Sequence, residues 1–436
     1  MQFFTKQQER ATAVSKIRGS RIRSSRPAAI YVLKSQAKGL GKLPPGPKQL
    51  PIIGNLNQLI GALPHHAFTD LCNKHGPVMK LQLGEIFAVI ISSPEAAKEV
   101  LKMSEISFAQ RPNVYEAEIM SYDHSSILFA PYNEYWRQLR KISLMELLSA
   151  KRVRSFRSIR EEEVWNLVEF IAASEGHTIN LSDKIYTMTN DVVSRSAFGN
   201  KCKYQLEFTL LLGEILLLAS GFNIVDLLGE DEEDLVDTLL NYEEANKHEF
   251  HLTTDQIKDV IMDIFSAGSE TSATTMEWAM SELLKNPRVM EKAQLEVRQV
   301  CEGKNKIEEE DVQKLHYLKL VVKETFRLRP SVTLVQGEAR ERCEIGGYTI
   351  PAKAKIIVNA YAIGRDPKLW ADPEYAFNQS AFKVLPLTLK ATILNCFHLV
   401  QVGGFVQASH LLLQTLSLDL LNYCTTLTGT FQMGLN

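Results

Sequence analysis

The spacing of apolar residues along the chain reads mainly as helix. Positions 133–149, 151–173 and 182–198 place apolar side chains at three- and four-residue intervals. Residues 206–219 are apolar nearly all round, which predicts a buried helix. Thr254 is a candidate cap for a long helix reaching Lys285, where Asn286-Pro287 stops it. Further helices are expected over 288–301 and 311–328, the second ended by Pro330. Strand patterns are few. Residues 78–92 alternate around Leu83-Gly84-Glu85, as in a β-hairpin, and short strands are expected around 344–349 and 354–359. Pro94 opens a helix after the cap candidates Ser92 and Ser93. There is no internal repeat. The class predicted is mainly α (α+β), with small β-sheets.

Two segments break the pattern. Residues 43–56 hold Pro44, Pro45, Pro47 and Pro51 with Gly46 and Gly54, which forbids a helix. A stiff, extended linker between a tail and a folded body is expected there. Residues 226–251 are acidic and polar, and read as a surface loop with a short helix.

Composition narrows the function classes. The chain has 436 residues, 45% hydrophobic and 23% charged, which is globular rather than disordered. Lys+Arg is 49 against Asp+Glu 51, so a strongly basic nucleic-acid binder is excluded as a first reading. The cysteines, at 72, 202, 301, 343, 396 and 424, form no CxxC clamp, which speaks against structural zinc and a disulfide scaffold. A reducing compartment is the default.

The ends differ from the average. Residues 1–38 are basic, with Lys6, Arg10, Lys16, Arg18, Arg21, Arg23, Arg26, Lys34 and Lys38 against Glu9. No run there is long enough for a membrane span or a signal h-region, which need about 20 and about 7–15 apolar residues. A disordered tail and an organelle transit segment are the two readings. Residues 391–418 carry no Asp, Glu, Lys or Arg, yet Gly403-Gly404 and several Asn, Gln and His make them a poor spanning helix.

Three constellations can carry chemistry. Ala267-Gly268-Ser269-Glu270-Thr271 lies inside the 254–285 helix. A helical Gly costs about 1 kcal/mol relative to Ala. It either makes room for a ligand, beside an acid and a hydroxyl able to relay protons, or permits helix packing with Glu270 on a polar face. Glu324 and Arg327 share a helix face. Exposed, such a pair means little; buried, it fixes local structure. Trp136 and Arg140, four apart, present an indole N–H and a guanidinium, suited to an anion at the end of an apolar pocket or to an ordinary basic helix face. No GxGxxG after a strand, P-loop, HExxH or GxSxG occurs. His65-His66 read as loop residues, and no metal-ligand set emerges.

Taken in order, Leu43-Pro44-Pro45-Gly46-Pro47, Trp136-x-x-x-Arg140, Ala267-Gly268-Ser269-Glu270-Thr271, Glu324-x-x-Arg327 and the stretch from Asn359 to Glu374 resemble cytochrome P450. The likeness is greatest to plant microsomal enzymes that oxidise terpenoids. It implies a cytochrome P450 fold over residues 39–382 as a single domain, after a basic tail, 1–38, and before a non-family tail, 383–436. The implied activity is a haem b monooxygenase that inserts one atom of O2 into a small apolar substrate. Electrons would come from NADPH only indirectly, through NADPH-cytochrome P450 reductase. By position, Trp136 and Arg140 would hold a haem propionate, and Ala267 and Gly268 would form a notch over the iron. Glu270 and Thr271 would deliver protons, and Glu324 and Arg327 would brace the structure behind the haem. Residues 113–124 and 331–336 would line the substrate pocket. Relatives sit on the cytoplasmic face of the endoplasmic reticulum by a membrane anchor. The basic segment stands in its place here, so a soluble cytoplasmic or organellar location is the other expectation.

The chain departs from that pattern at several points. The family's axial cysteine sits in a Phe-x-x-Gly-x-Arg-x-Cys-x-Gly loop, and neither Cys396 nor Cys424 has those neighbours. The family's Pro-Glu-Arg-Phe, whose Arg completes the Glu-x-x-Arg network, is absent after Glu374, where Phe377-Asn378-Gln379-Ser380 follows. Its Pro-Arg-Glu reads Gln336-Gly337-Glu338. Between Asp226 and Glu230 the chain passes straight to the acidic stretch, where the family has a helix pair forming the lid of the substrate channel. An incomplete, non-catalytic relative is therefore expected for the chain as written. The alternative is a helical interaction or regulatory protein derived from the same scaffold.

Overall fold

The computed structural model describes residues 41–100, 110, 125–201, 254–304 and 308–370. The expectations placed on 1–38, 113–124, 206–219, 226–251 and 383–436 lie outside the described residues. The chain divides into two compact units. Of the described residues, one holds those up to 140, 254–260 and Leu334–Asn359; the other holds 141–201, 261–333 and 360–370.

The first unit is built on a four-stranded sheet. Strands β1 (Val78–Leu83) and β2 (Ile86–Ile91) form the expected antiparallel hairpin across Gly84-Glu85. After α1 (Pro64–His75), β1 and β2, the chain forms α2 (Pro94–Lys98), whose amide at Ala96 donates to the Ser93 hydroxyl. Far along the chain, β6 (Lys355–Asn359) pairs parallel with β2, Ala88 opposite Lys355 and Ile91 opposite Val358. Strand β3 (Leu334–Glu338) closes the order β1-β2-β6-β3 by pairing antiparallel with β6. Every residue of β6 is buried, as an inner strand requires.

Three expectations for this unit are corrected. His65 and His66 are not in a loop: Pro64 takes the first position of α1, where its missing N–H costs nothing. Phe68 and Cys72 of that helix then pack on Met79, Leu81, Ala88 and Ile357. The fully buried Asn359 amide ties β6 to α1, donating to the His65 carbonyl (3.0 Å) and the Thr69 hydroxyl (3.1 Å). The proline-rich stretch is not a free linker. It is stitched along β1, with Lys80 N donating to Pro45 O (2.8 Å) and Gln82 N to Asn55 Oδ1 (2.9 Å). A Cβ at Gly46 would stand 2.3 Å from the Lys80 carbonyl, so only glycine allows this approach. Past that seam Leu50, Ile52, Ile60 and Leu63 are exposed. Finally, 344–349 is not one strand. Gly346 and Gly347, at φ 56° and 76°, turn the chain between β4 (Cys343–Ile345) and β5 (Tyr348–Ile350).

The second unit is helical. Helix α3 (Glu134–Ile142), which belongs to the first unit as far as Arg140, runs on through one wide π-helical stretch, Ser143–Leu147. Then come α4 (Ala150–Ser155), α5 (Arg157–Ala173), α6 (Leu181–Phe198), α7 (Thr254–Lys285), α8 (Pro287–Val300), α9 (Glu309–Val312), α10 (His316–Leu328) and α11 (Ala360–Ile363). The expected helix 151–173 is broken at Phe156, whose backbone (φ −92°, ψ 10°) leaves the helical region. Local signals set the other ends: Asn180 accepts the Asp183 amide, Gly199 ends α6 at φ 78°, and Asn286 donates to Glu282 O at 2.8 Å before Pro287. Leu167, Ile185, Met276, Ala293, Leu318 and Phe326 bring α5, α6, α7, α8 and α10 onto one core.

The 311–328 helix is two helices. Asp311 caps the start of the first: its carboxylate accepts the Glu308 amide at 3.3 Å and the ammonium groups of Lys304 (2.6 Å) and Lys314 (3.0 Å). Burial pushes this carboxyl up, but the two ammonium groups overcome that and hold it at about 2. A depressed carboxyl contributes stability present above its unfolded value, about 3.9, and lost as pH falls toward 2. Asp311→Asn is expected to lower stability at pH 7 by about 1–3 kcal/mol. It should also flatten the stability profile between pH 4 and 2, as read by urea unfolding at each pH.

Candidate functional site

In the first unit, Asn133 caps α3 by accepting the Trp136 amide at 2.9 Å, which sets the register of the Trp136–Arg140 pair. The Trp136 ring is buried beside Tyr132, with centroids 5.3 Å apart. Its indole N–H does not serve an anion, contrary to expectation: it donates to the Ile127 carbonyl at 3.0 Å. The Arg140 guanidinium lies 5.2 Å over the indole ring, so Trp136 is a platform for the cation. Arg140 Nε is buried with no hydrogen-bond partner. A buried donor on a permanent cation is costly unless an acceptor meets it. This atom is therefore the anion-seeking one of the pair.

In the second unit, α7 carries the 267–271 segment. Three hydroxyls of α7 turn inward on their own helix: Thr271 donates to Ala267 O, Ser272 to Gly268 O (both 2.6 Å) and Thr275 to Thr271 O (2.7 Å). Such back-bonding loosens and bends a helix. Of the two readings of Gly268, the packing one describes what is seen: an added Cβ would meet Val193 of α6 at 3.2 Å. The polar-face reading of Glu270 does not hold. The carboxyl is largely buried and accepts the Tyr186 hydroxyl at 2.9 Å. Burial pushes Glu270 above the usual carboxylate range, and the Tyr186 hydrogen bond opposes this. Glu270 is thus an acid inclined to keep its proton. Ala267 and Thr271 are half-buried.

Glu324 and Arg327 are buried on α10. Arg327 grips both carboxylate oxygens, at 2.9 and 2.6 Å. Arg327 has further partners among the described residues. Arg327 Nη1 donates to Gly364 O at 2.6 Å, and the guanidinium lies 4.5 Å over the Trp370 ring. Trp370 is itself fixed by its N–H to Ile363 O, and Arg365 donates to Leu328 O at 2.6 Å.

The described residues fit one end of a haem. The unpartnered Arg140 Nε suits a propionate carboxylate. Of the described cysteines, Cys72 and Cys301 are packed into the apolar cores. Burial pushes Cys72, Cys301 and Cys343 up to about 11, so with no metal beside them all three are thiols. Cys202, Cys396 and Cys424 lie outside the described residues, and no metal-holding group occurs among the described ones. Of the expected pocket segments, Leu334–Gln336 lies in β3, and 113–124 is outside the described residues.

Sequence reasoning missed Tyr186, Gly364 and Trp370. The last two stood in the Asn359–Glu374 stretch, where a Gly before Arg-Asp-Pro signals a close backbone approach. Tyr186 gave no signal, because its partner is 84 residues away.

The family model described as Cytochrome P450 matches residues 44–211 and 223–382. Melianol synthase of Azadirachta indica is 59% identical over 415 residues, covering 85% of this chain and 82% of that one. Melianol synthase of Ailanthus altissima is 58% identical, with 84% and 80% covered. Germacrene A hydroxylase of Barnadesia spinosa is 42% identical, with 83% and 80% covered. A zebra fish cytochrome P450 structure with abiraterone superposes at TM-score 0.67 and 23% identity, covering 82% of this chain and 91% of that one.

Proposed function

The chain belongs to the cytochrome P450 family, and from that premise we propose that its body is that of a plant oxidase for a small, apolar, terpenoid-like substrate, without turnover as written. The observation carrying the first half is the 59% identity to melianol synthase across most of both chains. The second half is supported by the sequence after Glu374, where no cysteine has the neighbours of the family's haem loop.

Haem, when bound, supplies the activation of O2. The chain's own groups bind and move protons. Arg140 would anchor a propionate through Nε, with Trp136 as its platform. Ala267 offers a small side chain, and Gly268 brings α7 close to α6. Glu270 would hold a proton on its carboxyl. The Thr271 hydroxyl already donates to Ala267 O, so it serves incoming donors as an acceptor. Glu324 and Arg327 brace the α10 end. Electrons would come from an NADPH-dependent reductase at the cytoplasmic face of the endoplasmic reticulum. No helix among the described residues is long and apolar enough to cross a membrane.

A reduced, CO-treated spectrum of the purified, haem-supplemented chain tests this. We expect no Soret band at the thiolate position. A band there would overturn the claim of inactivity. A folded chain that takes up no haem at all would favour the interaction or regulatory reading.

A further inference from the structure

The seam between α6 and α7 carries more polar chemistry than packing needs. The Tyr186 hydroxyl donates to Glu270 Oε1 at 2.9 Å and lies 3.3 Å from Thr274 Oγ1. Glu270, Thr274 and Glu277 fall four and three residues apart and share one face of α7. One turn back along α6, Ser182 is hydrogen-bonded to the Glu277 carboxyl.

We infer that Tyr186 is the positioning residue for the Glu270 acid: it pins Oε1, leaving Oε2 to carry the exchangeable proton, and Thr274 fixes the phenol in turn. The inference rests on the proton role proposed for Glu270. A phenol suits this task because it donates to a carboxyl in either protonation state. Burial and the neighbouring acids push the Tyr186 hydroxyl upward, so it remains a donor throughout the physiological range.

Among the described residues the ionisable groups around Glu270 are few. Tyr186 faces it from α6, and Glu277 lies two turns along α7, itself beside Asp183. Lys184 of α6 is turned away, its ammonium 4.1 Å over the Phe170 ring of α5. Burial favours the neutral acid, and the Tyr186 donor favours the carboxylate. Tyr186 thus keeps the proton releasable rather than locked.

Infrared titration of the full chain decides the matter without any haem. The protonated-carboxyl stretch absent from Glu270→Gln identifies Glu270. In Tyr186→Phe its loss with rising pH should move to higher pH, and Thr274→Val should move it the same way by less. An unchanged midpoint in Tyr186→Phe, even with reduced stability, would overturn the inference. Should that variant not fold, an unchanged midpoint in Thr274→Val does the same. The proton role of Glu270 fails separately, through unaltered turnover of Glu270→Gln in a haem-loaded, thiolate-bearing chain.

Discussion

Arg327→Ala is expected to cost about 3–5 kcal/mol, enough to unfold a chain of ordinary marginal stability. The change leaves the Glu324 carboxylate in a site where it is 4% exposed, having lost both of its bonds to Arg327. It also releases the Gly364 carbonyl and empties the face of Trp370. Removing one member of a buried pair costs far more than the pair itself contributes. Circular dichroism against urea should show the loss as a collapse of the unfolding midpoint. Glu324→Gln with Arg327→Met, which removes both charges and keeps the volume, should recover much of it. If the double variant is no better than Arg327→Ala, charge burial is not the reason for the loss.

Gly364→Ala is expected to be nearly as damaging, for a steric reason. The added Cβ would stand 2.3 Å from the Arg327 carbonyl oxygen and 3.4 Å from that of Ala360. Both are backbone atoms and cannot rotate aside. Overpacking of this kind costs about 1–3 kcal/mol, and more where backbone must move. Here the shift also pulls the Gly364 carbonyl off Arg327. The two substitutions share that bond, so their costs should sum to more than the double variant loses. Thermal unfolding of both single variants and the double variant measures the difference. Strict additivity would mean that Gly364 and Arg327 act independently.

Much of this architecture could be read before any coordinates. The 254–285 helix, its stop at Asn286-Pro287 and the β1–β2 hairpin depend on signals within a few residues of one another. What escaped depends on remote neighbours. β3 was missed because Leu334-Val335-Gln336-Gly337-Glu338 has no clean alternation; it is a strand because β6 offers it an edge. The α9–α10 break escaped because the apolar spacing over 311–328 runs on across it. The site shows the same division. Trp136, Arg140, Glu270 and Arg327 were identified by spacing. Which atoms they spend on one another was not: the indole N–H on Ile127, the Glu270 oxygen on Tyr186, the Arg327 fork on Gly364.

The parallel pairing of β2 with β6 has a bearing on how the chain is made. Some 260 residues separate the two strands. At about 5–20 residues per second, translation leaves β2 waiting on the order of 10–50 s for its neighbour. Throughout that interval Ile86-Phe87-Ala88-Val89-Ile90-Ile91, uncharged and rich in β-branched residues, offers an unpaired edge beside the ribosome. A nascent polypeptide of this design leaves six residues open to aggregation until β6 emerges.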